Sequence, residues 1–150
     1  MKDFEEFLKQ VNISDHSKTT LLFLMKKKEK ENKMQRNLNI IGVTTIITIL
    51  LFASYFYYKM KINGGLGTSA LNFILNDSLL LFLMATLAFL LYSMFYFKKK
   101  FDKAEKDVDK IRDDILDRSM DYWKTKDELK ERYKVFKYLK DKQDINLFHK

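Results

Sequence analysis

Three aspartates, Asp109, Asp113 and Asp117, recur at i, i+4 and i+8, which puts them on one face of a helix. Carboxylates so placed are able to hold a divalent cation or to move protons. Lys106, Lys110 and Arg112 are interleaved with them, and the simpler reading is a solvated, charge-compensated helix face. His16 and His149 are the two histidines, and they lie in separate terminal segments with too few further ligands for a zinc site. The absence of cysteine excludes thiolate nucleophiles, disulfides, iron–sulfur clusters and cysteine zinc sites. Gly65-Leu66-Gly67 lacks both the preceding strand and the full spacing of a phosphate loop. No nucleophile, base and orienting group form a recognisable arrangement, so neither an enzymatic activity nor a cofactor is expected.

The elements that carry these groups are dictated by two uncharged runs, Asn37 to Tyr58 and Ser78 to Phe97, 22 and 20 residues long. Twenty helical residues rise about 30 Å, the thickness of a bilayer's hydrocarbon core. One small soluble core cannot hold both runs. The expected fold is therefore an all-α membrane protein, a two-span transmembrane helical hairpin with cytoplasmic N- and C-terminal helices, partly coiled coil. Residues 1–36 form the N-terminal helices, 37–58 and 78–97 the spans, 59–77 an external loop, and 98–150 a helical tail. The N-terminal 36 residues are too long and polar for the start of a signal peptide, so the first span is expected to be retained. No proline interrupts any of these helices.

The net charge of +8 is concentrated at the two ends. Nine Lys or Arg against six acids precede the first span, and seventeen against thirteen follow the second. Positive flanks kept inside place both termini in the cytoplasm. Lys26, Lys27 and Lys28 before the first span, and Lys98, Lys99 and Lys100 after the second, read as orientation-setting flanks that meet anionic lipid headgroups. Nucleic acid is not the expected partner.

Within the spans, Gly42, Thr44, Thr45, Thr48, Ala53 and Ser54 offer a small-residue stripe, with Thr44 and Thr48 on one face. That stripe is expected to pack on the second span through Ala85 and Ala88, rather than to line a pore. Asn63, Gly64, Gly65 and Gly67 mark the turn between spans, and Leu71, Phe73, Ile74 and Leu75 suit the headgroup level.

Before the first span, Phe4, Phe7, Leu8 and Val11 suit a short amphipathic helix, and Leu21, Leu24, Met25 and Lys28 share one face of a second. After the second span, Phe97, Phe101, Ala104, Val108, Ile111 and Ile115 alternate at intervals of four and three, a coiled-coil seam that loosens near Arg118. It fits the Ser17 to Arg36 helix of the same chain, or its own copy in a homo-oligomer, and the two can coexist. Trp123 reads as a packing anchor at a break. Thr125-Lys126-Asp127-Glu128 has the form of a capping box that starts a new helix to about Lys142, with Leu129, Tyr133, Phe136 and Leu139 along it.

Arg118-Ser119-Met120-Asp121-Tyr122-Trp123-Lys124-Thr125, then Arg132, Val135 and Phe136, and the terminal Asp144-Ile145-Asn146-Leu147-Phe148-His149 resemble the YpbF-type family of small two-span Bacillus membrane proteins. The resemblance implies a bacterial cell-membrane location and brings no activity with it. The architecture alone is similar to two-span effectors of bacterial conflict systems. The function expected is a membrane-anchored scaffold or adaptor that meets an unknown cytoplasmic protein through Phe101, Val108, Ile115, Trp123 and Phe136. The alternative is a holin-like or effector protein that permeabilises membranes.

Overall fold

The computed structural model describes residues 2–62 and 74–148. The expected turn at Asn63, Gly64, Gly65 and Gly67, together with Leu71, Phe73 and His149, lies outside them. Among the described residues five complete helices follow in order: α1 Lys2–Gln10, α2 Asp15–Ile62, α3 Ser78–Asp117, α4 Ser119–Tyr122 and α5 Lys126–Gln143. The chain divides into two units, one made of Met1–Lys33 with Asp102–Lys150 and the other of Met34–Phe101. Neither long helix is interrupted where the division falls. α2 runs through Arg36 and Asn37, where the charge pattern changes but nothing in the backbone chemistry stops a helix.

The first unit owns a hydrophobic core drawn from both ends of the chain. Phe4 and Leu8 of α1, Leu21, Leu24 and Met25 of α2, and Val108 and Ile115 of α3 are buried there with Trp123, Val135 and Leu139. α1 is amphipathic as its spacing requires, and the Phe7 ring stacks on Tyr138 of α5 at 4.4 Å. Ser14 opens α2, its hydroxyl accepting from the Ser17 amide at 3.2 Å. α3 ends at Asp117. The single turn α4 then precedes the extended Trp123–Thr125 step.

The capping box at the head of α5 is formed in full: the Glu128 amide donates to Thr125 Oγ1 at 3.2 Å, and the Thr125 amide to Glu128 Oε2 at 3.0 Å. Thr125→Ala is expected to cost about 1 kcal/mol, measured as lost hydrogen-exchange protection in the first turn of α5; unchanged protection there would count against the cap. The other end of α5 turns at Asp144, whose φ of 54° lies in the left-handed region. The Ile145 amide returns to the Leu139 carbonyl at 3.1 Å, closing a Schellman-type end and sending Ile145 and Leu147 into the core.

In the second unit, α2 and α3 are sheltered along stripes of three- and four-residue spacing. On α2 these positions are Ile41, Thr45, Thr48, Phe52 and Tyr55, and on α3 Leu80, Leu83, Leu87, Leu90 and Met94. The α3 stripe keeps the same spacing through Phe97, Phe101, Ala104, Val108, Ile111 and Ile115, so the seam begins at Leu80, seventeen residues before the charged segment makes it visible. Two expectations are corrected here. Ala85 and Ala88 are exposed, because the sheltered stripe of this part of α3 falls on Leu80, Leu83, Leu87 and Leu90; and Thr45, not Thr44, shares the buried face with Thr48. The threonine hydroxyls donate to carbonyls of their own helix, Thr44 to Ile40, Thr45 to Ile41 and Thr48 to Thr44, at 2.8 to 2.9 Å.

Asp77 was invisible as a structural residue in the sequence. It caps α3, accepting from the Leu79 and Leu80 amides at 3.0 and 3.2 Å, and pairs with Lys59 at 2.9 Å. The Lys59 ammonium holds the Asp77 carboxyl below its ordinary range, and Asp77 in turn raises Lys59.

Candidate functional site

The residues singled out for partner binding divide once placed. Ala104, Val108, Ile115, Trp123 and Phe136 are buried in the first unit, and Ile111 packs partly buried against its core. Phe97 and Phe101 are half-buried in the second unit, and Leu129 is 38% exposed. The expectation that Val108, Ile115, Trp123 and Phe136 form a surface for another protein is corrected: the chain's own helices already cover them. The physical reason is that α1, α5 and the 145–148 tail supply apolar faces that the heptad pattern on α3 alone does not reveal.

Trp123 sits where these elements converge. Its ring meets Phe136 edge-on at 5.8 Å, and it is 1% exposed. Polar links surround it. Ser17 Oγ donates to the Tyr122 carbonyl at 2.6 Å, and the Ser14 amide donates to Glu128 Oε1 at 3.1 Å. Glu128 thus does two things, capping α5 and tying the start of α2 to it. Only the first was readable from spacing. Its three backbone donors, Thr125, Lys124 and Ser14, hold the carboxyl below its ordinary value of 4.5.

A group depressed in the folded state contributes stability above its unfolded pKa and loses it as pH falls through the folded one. The junction of α2 with α5 is therefore expected to loosen as pH drops below about 4.5, and Glu128→Gln to flatten that dependence, read as exchange at the Ser14 and Thr125 amides. A profile identical in both proteins would refute the assignment.

The lysine flanks also separate. Lys27 pairs with Asp107 across helices at 2.9 Å and lies over the Phe23 ring, and Lys28 pairs with Glu31 at 2.8 Å with both side chains largely buried. Of the first triplet, Lys26 alone is exposed, and carboxylates within the chain engage Lys27 and Lys28. Lys27 holds the Asp107 carboxyl below its ordinary range. Lys98, Lys99 and Lys100 are exposed, with Lys98 over Phe101 and Lys100 over Tyr96 at 4.3 Å.

The aspartate face carries its own counter-ions. Arg112 bridges Asp109 and Asp113 at 3.1 and 3.3 Å, and Arg118 holds Asp114 at 3.0 Å. Among the described residues, no group of three or more His, Asp or Glu side chains is arranged to hold a metal ion.

Two cavities stand out. One, of about 450 Å³, opens in the first unit beside Leu116, Ser119, Leu129, Arg132, Tyr133 and Phe136, floored by Leu147 and Phe148. The other, of about 630 Å³, lies in the second unit between Leu38, Gly42 and Val43 on α2 and Met94, Phe95 and Lys98 on α3.

Among its described residues the chain is thus all-helical, with two helices long and apolar enough to cross a membrane. Residues 20–150 match the family described as Protein of unknown function (DUF2663), and the chain belongs to that family. It is also similar to the uncharacterized protein YpbF of Bacillus subtilis (strain 168), 43% identical over 75 residues, which is 50% of this chain and 51% of that relative. The match thus spans about half the relative's length. No solved structure matches the chain.

Proposed function

We propose that the protein is a small membrane-anchored scaffold or adaptor and not an enzyme. In this reading α2 and α3 cross the bacterial plasma membrane as a hairpin, both termini face the cytoplasm, and the first unit presents a surface to a cytoplasmic protein. One observation carries the membrane part. Of the most apolar 18 residues of α2 and of α3, only 11% and 6% are buried, so the side chains that would make a soluble core point outward. Hydrocarbon is the solvent that suits such a surface, and continuous helices leave no backbone group unpaired within it. The groove between Gly42 and Met94 suits an acyl chain, with Lys98 at its rim for an anionic headgroup.

A buried seam moves the partner surface elsewhere on the first unit. Met120, Tyr133 and Phe23 are the apolar side chains that stay most available among its described residues, at 79%, 61% and 51% exposure. Two measurements test the proposal. Reporters fused at Lys61 and at Lys150 are expected to fall on opposite sides of the membrane. A photo-crosslinking residue at Met120 is expected to capture a discrete protein in native membranes, whereas one at Val108 captures none. Reporters on the same side would end the hairpin reading, and crosslinks at Val108 but not Met120 would return the seam to the partner.

A further inference from the structure

We propose that the cleft beside Arg132 is a binding site for a small amphiphilic anion, an apolar or aromatic body carrying one carboxylate or phosphate head. The site goes beyond the scaffold role and does not depend on it. Its argument starts from charge. Arg112 and Arg118 both hold aspartates, but no carboxylate of the described residues pairs with Arg132. Arg132 is instead half-buried, donates to Ser119 Oγ at 3.0 Å and lies 5.8 Å over the Phe136 ring. A guanidinium held in a fixed position with spare donors is matched to a planar carboxylate or a phosphate.

A second cation, Lys140, lies 5.9 Å over the ring of Phe148, which closes the cleft from the C-terminal segment. Two cations thus rest on two aromatic rings that line one cavity, and no acid is among the residues that line it.

The rest of the wall asks for an apolar body. Leu116, Leu129 and Leu147 line the cavity, and Leu129 and Tyr133 leave apolar surface in water although the neighbouring positions Val135 and Leu139 are wholly buried. The volume of about 450 Å³ falls in the range of small-molecule pockets, roughly 300–1,000 Å³. A neutral ligand would fill the walls and leave the guanidinium without its counter-charge. An inorganic anion would do the reverse.

Trp123 supplies the readout, since it is the only tryptophan and touches Phe136 in the cleft wall. The full chain in neutral phosphatidylcholine vesicles is titrated with 4-phenylbutyrate, with its uncharged amide, and with 3-phenylpropyl phosphate, while tryptophan emission is followed. At least one anion is expected to give a saturable change at about ten-fold lower concentration than the amide, and comparison of the two anions identifies the head. Arg132→Gln should erase that preference. Leu129→Glu tests the same point without relying on Arg132→Gln folding, because position 129 is exposed and its carboxylate, one turn before Arg132, would occupy the guanidinium from within the chain. Anion and amide acting alike, no saturable response, or an undiminished anion preference in Leu129→Glu would overturn the proposal.

Discussion

Replacing Trp123 with alanine is expected to remove about 3–5 kcal/mol from the first unit, a large share of the roughly 5–15 kcal/mol that holds a typical domain together. The indole is buried at the meeting point of the α4–α5 junction with α2 and α3, so its loss opens a cavity that no single helix can close by shifting. Trp123→Phe should cost markedly less, because the indole Nε1 has no hydrogen-bond partner to lose and the ring-on-ring contact with Phe136 survives. Urea titration followed by hydrogen exchange in α5 reads the loss directly, and α2 and α3 of the second unit serve as the internal control. Equal protection of α5 in wild type and Trp123→Ala would show that the core does not depend on this residue.

The Lys28–Glu31 pair yields the second large effect. Both side chains are largely shielded, with 13% and 9% of their surface exposed, and they lie on the inward face of α2 that begins with Leu21 and Leu24. Glu31→Leu strands the ammonium and is expected to cost about 3 kcal/mol, whereas the double change Lys28→Met with Glu31→Leu is expected to be near neutral or stabilising. A cycle of the two single variants and the double, followed by thermal unfolding, separates these outcomes. Additive single effects would mean that the pair is electrostatically idle. If the double variant is stable but samples other helix registers, the pair serves specificity more than stability.

How much of this was written in the chain depends on contrast. The Thr125–Glu128 box was legible because its chemistry is local, and α5 runs from Lys126 to Gln143, one residue beyond the expected end. The seam was legible from Phe97 to Ile115, where polar residues separate the apolar ones, and illegible from Leu80 to Met94, where nearly every residue is apolar and a three-four period leaves no trace. For the same reason, the small-residue rule pointed to Ala85, Ala88 and Thr44, which the structure leaves exposed. Helical spacing did find Phe4, Leu8 and Val11, but not that they would share a core with Leu139 and Leu147. The Arg132 cleft was out of reach altogether, since Leu116, Arg132 and Leu147 meet only through tertiary folding, and the Asp77–Lys59 pair spans residues with no periodic relation.

The first unit's division between the two ends of the chain sets an order of events during synthesis. Ser14 waits for Glu128, 114 residues later, before its amide finds its partner. At about 5–20 residues per second that delay is on the order of ten seconds. During it α1 and the start of α2 have emerged with Phe4, Leu8, Leu21 and Leu24 uncovered, while both apolar helices are being made. A chain that stops short of α5 therefore lacks Val135, Phe136 and Leu139, and with them part of the cover over Phe4, Leu8, Leu21 and Leu24.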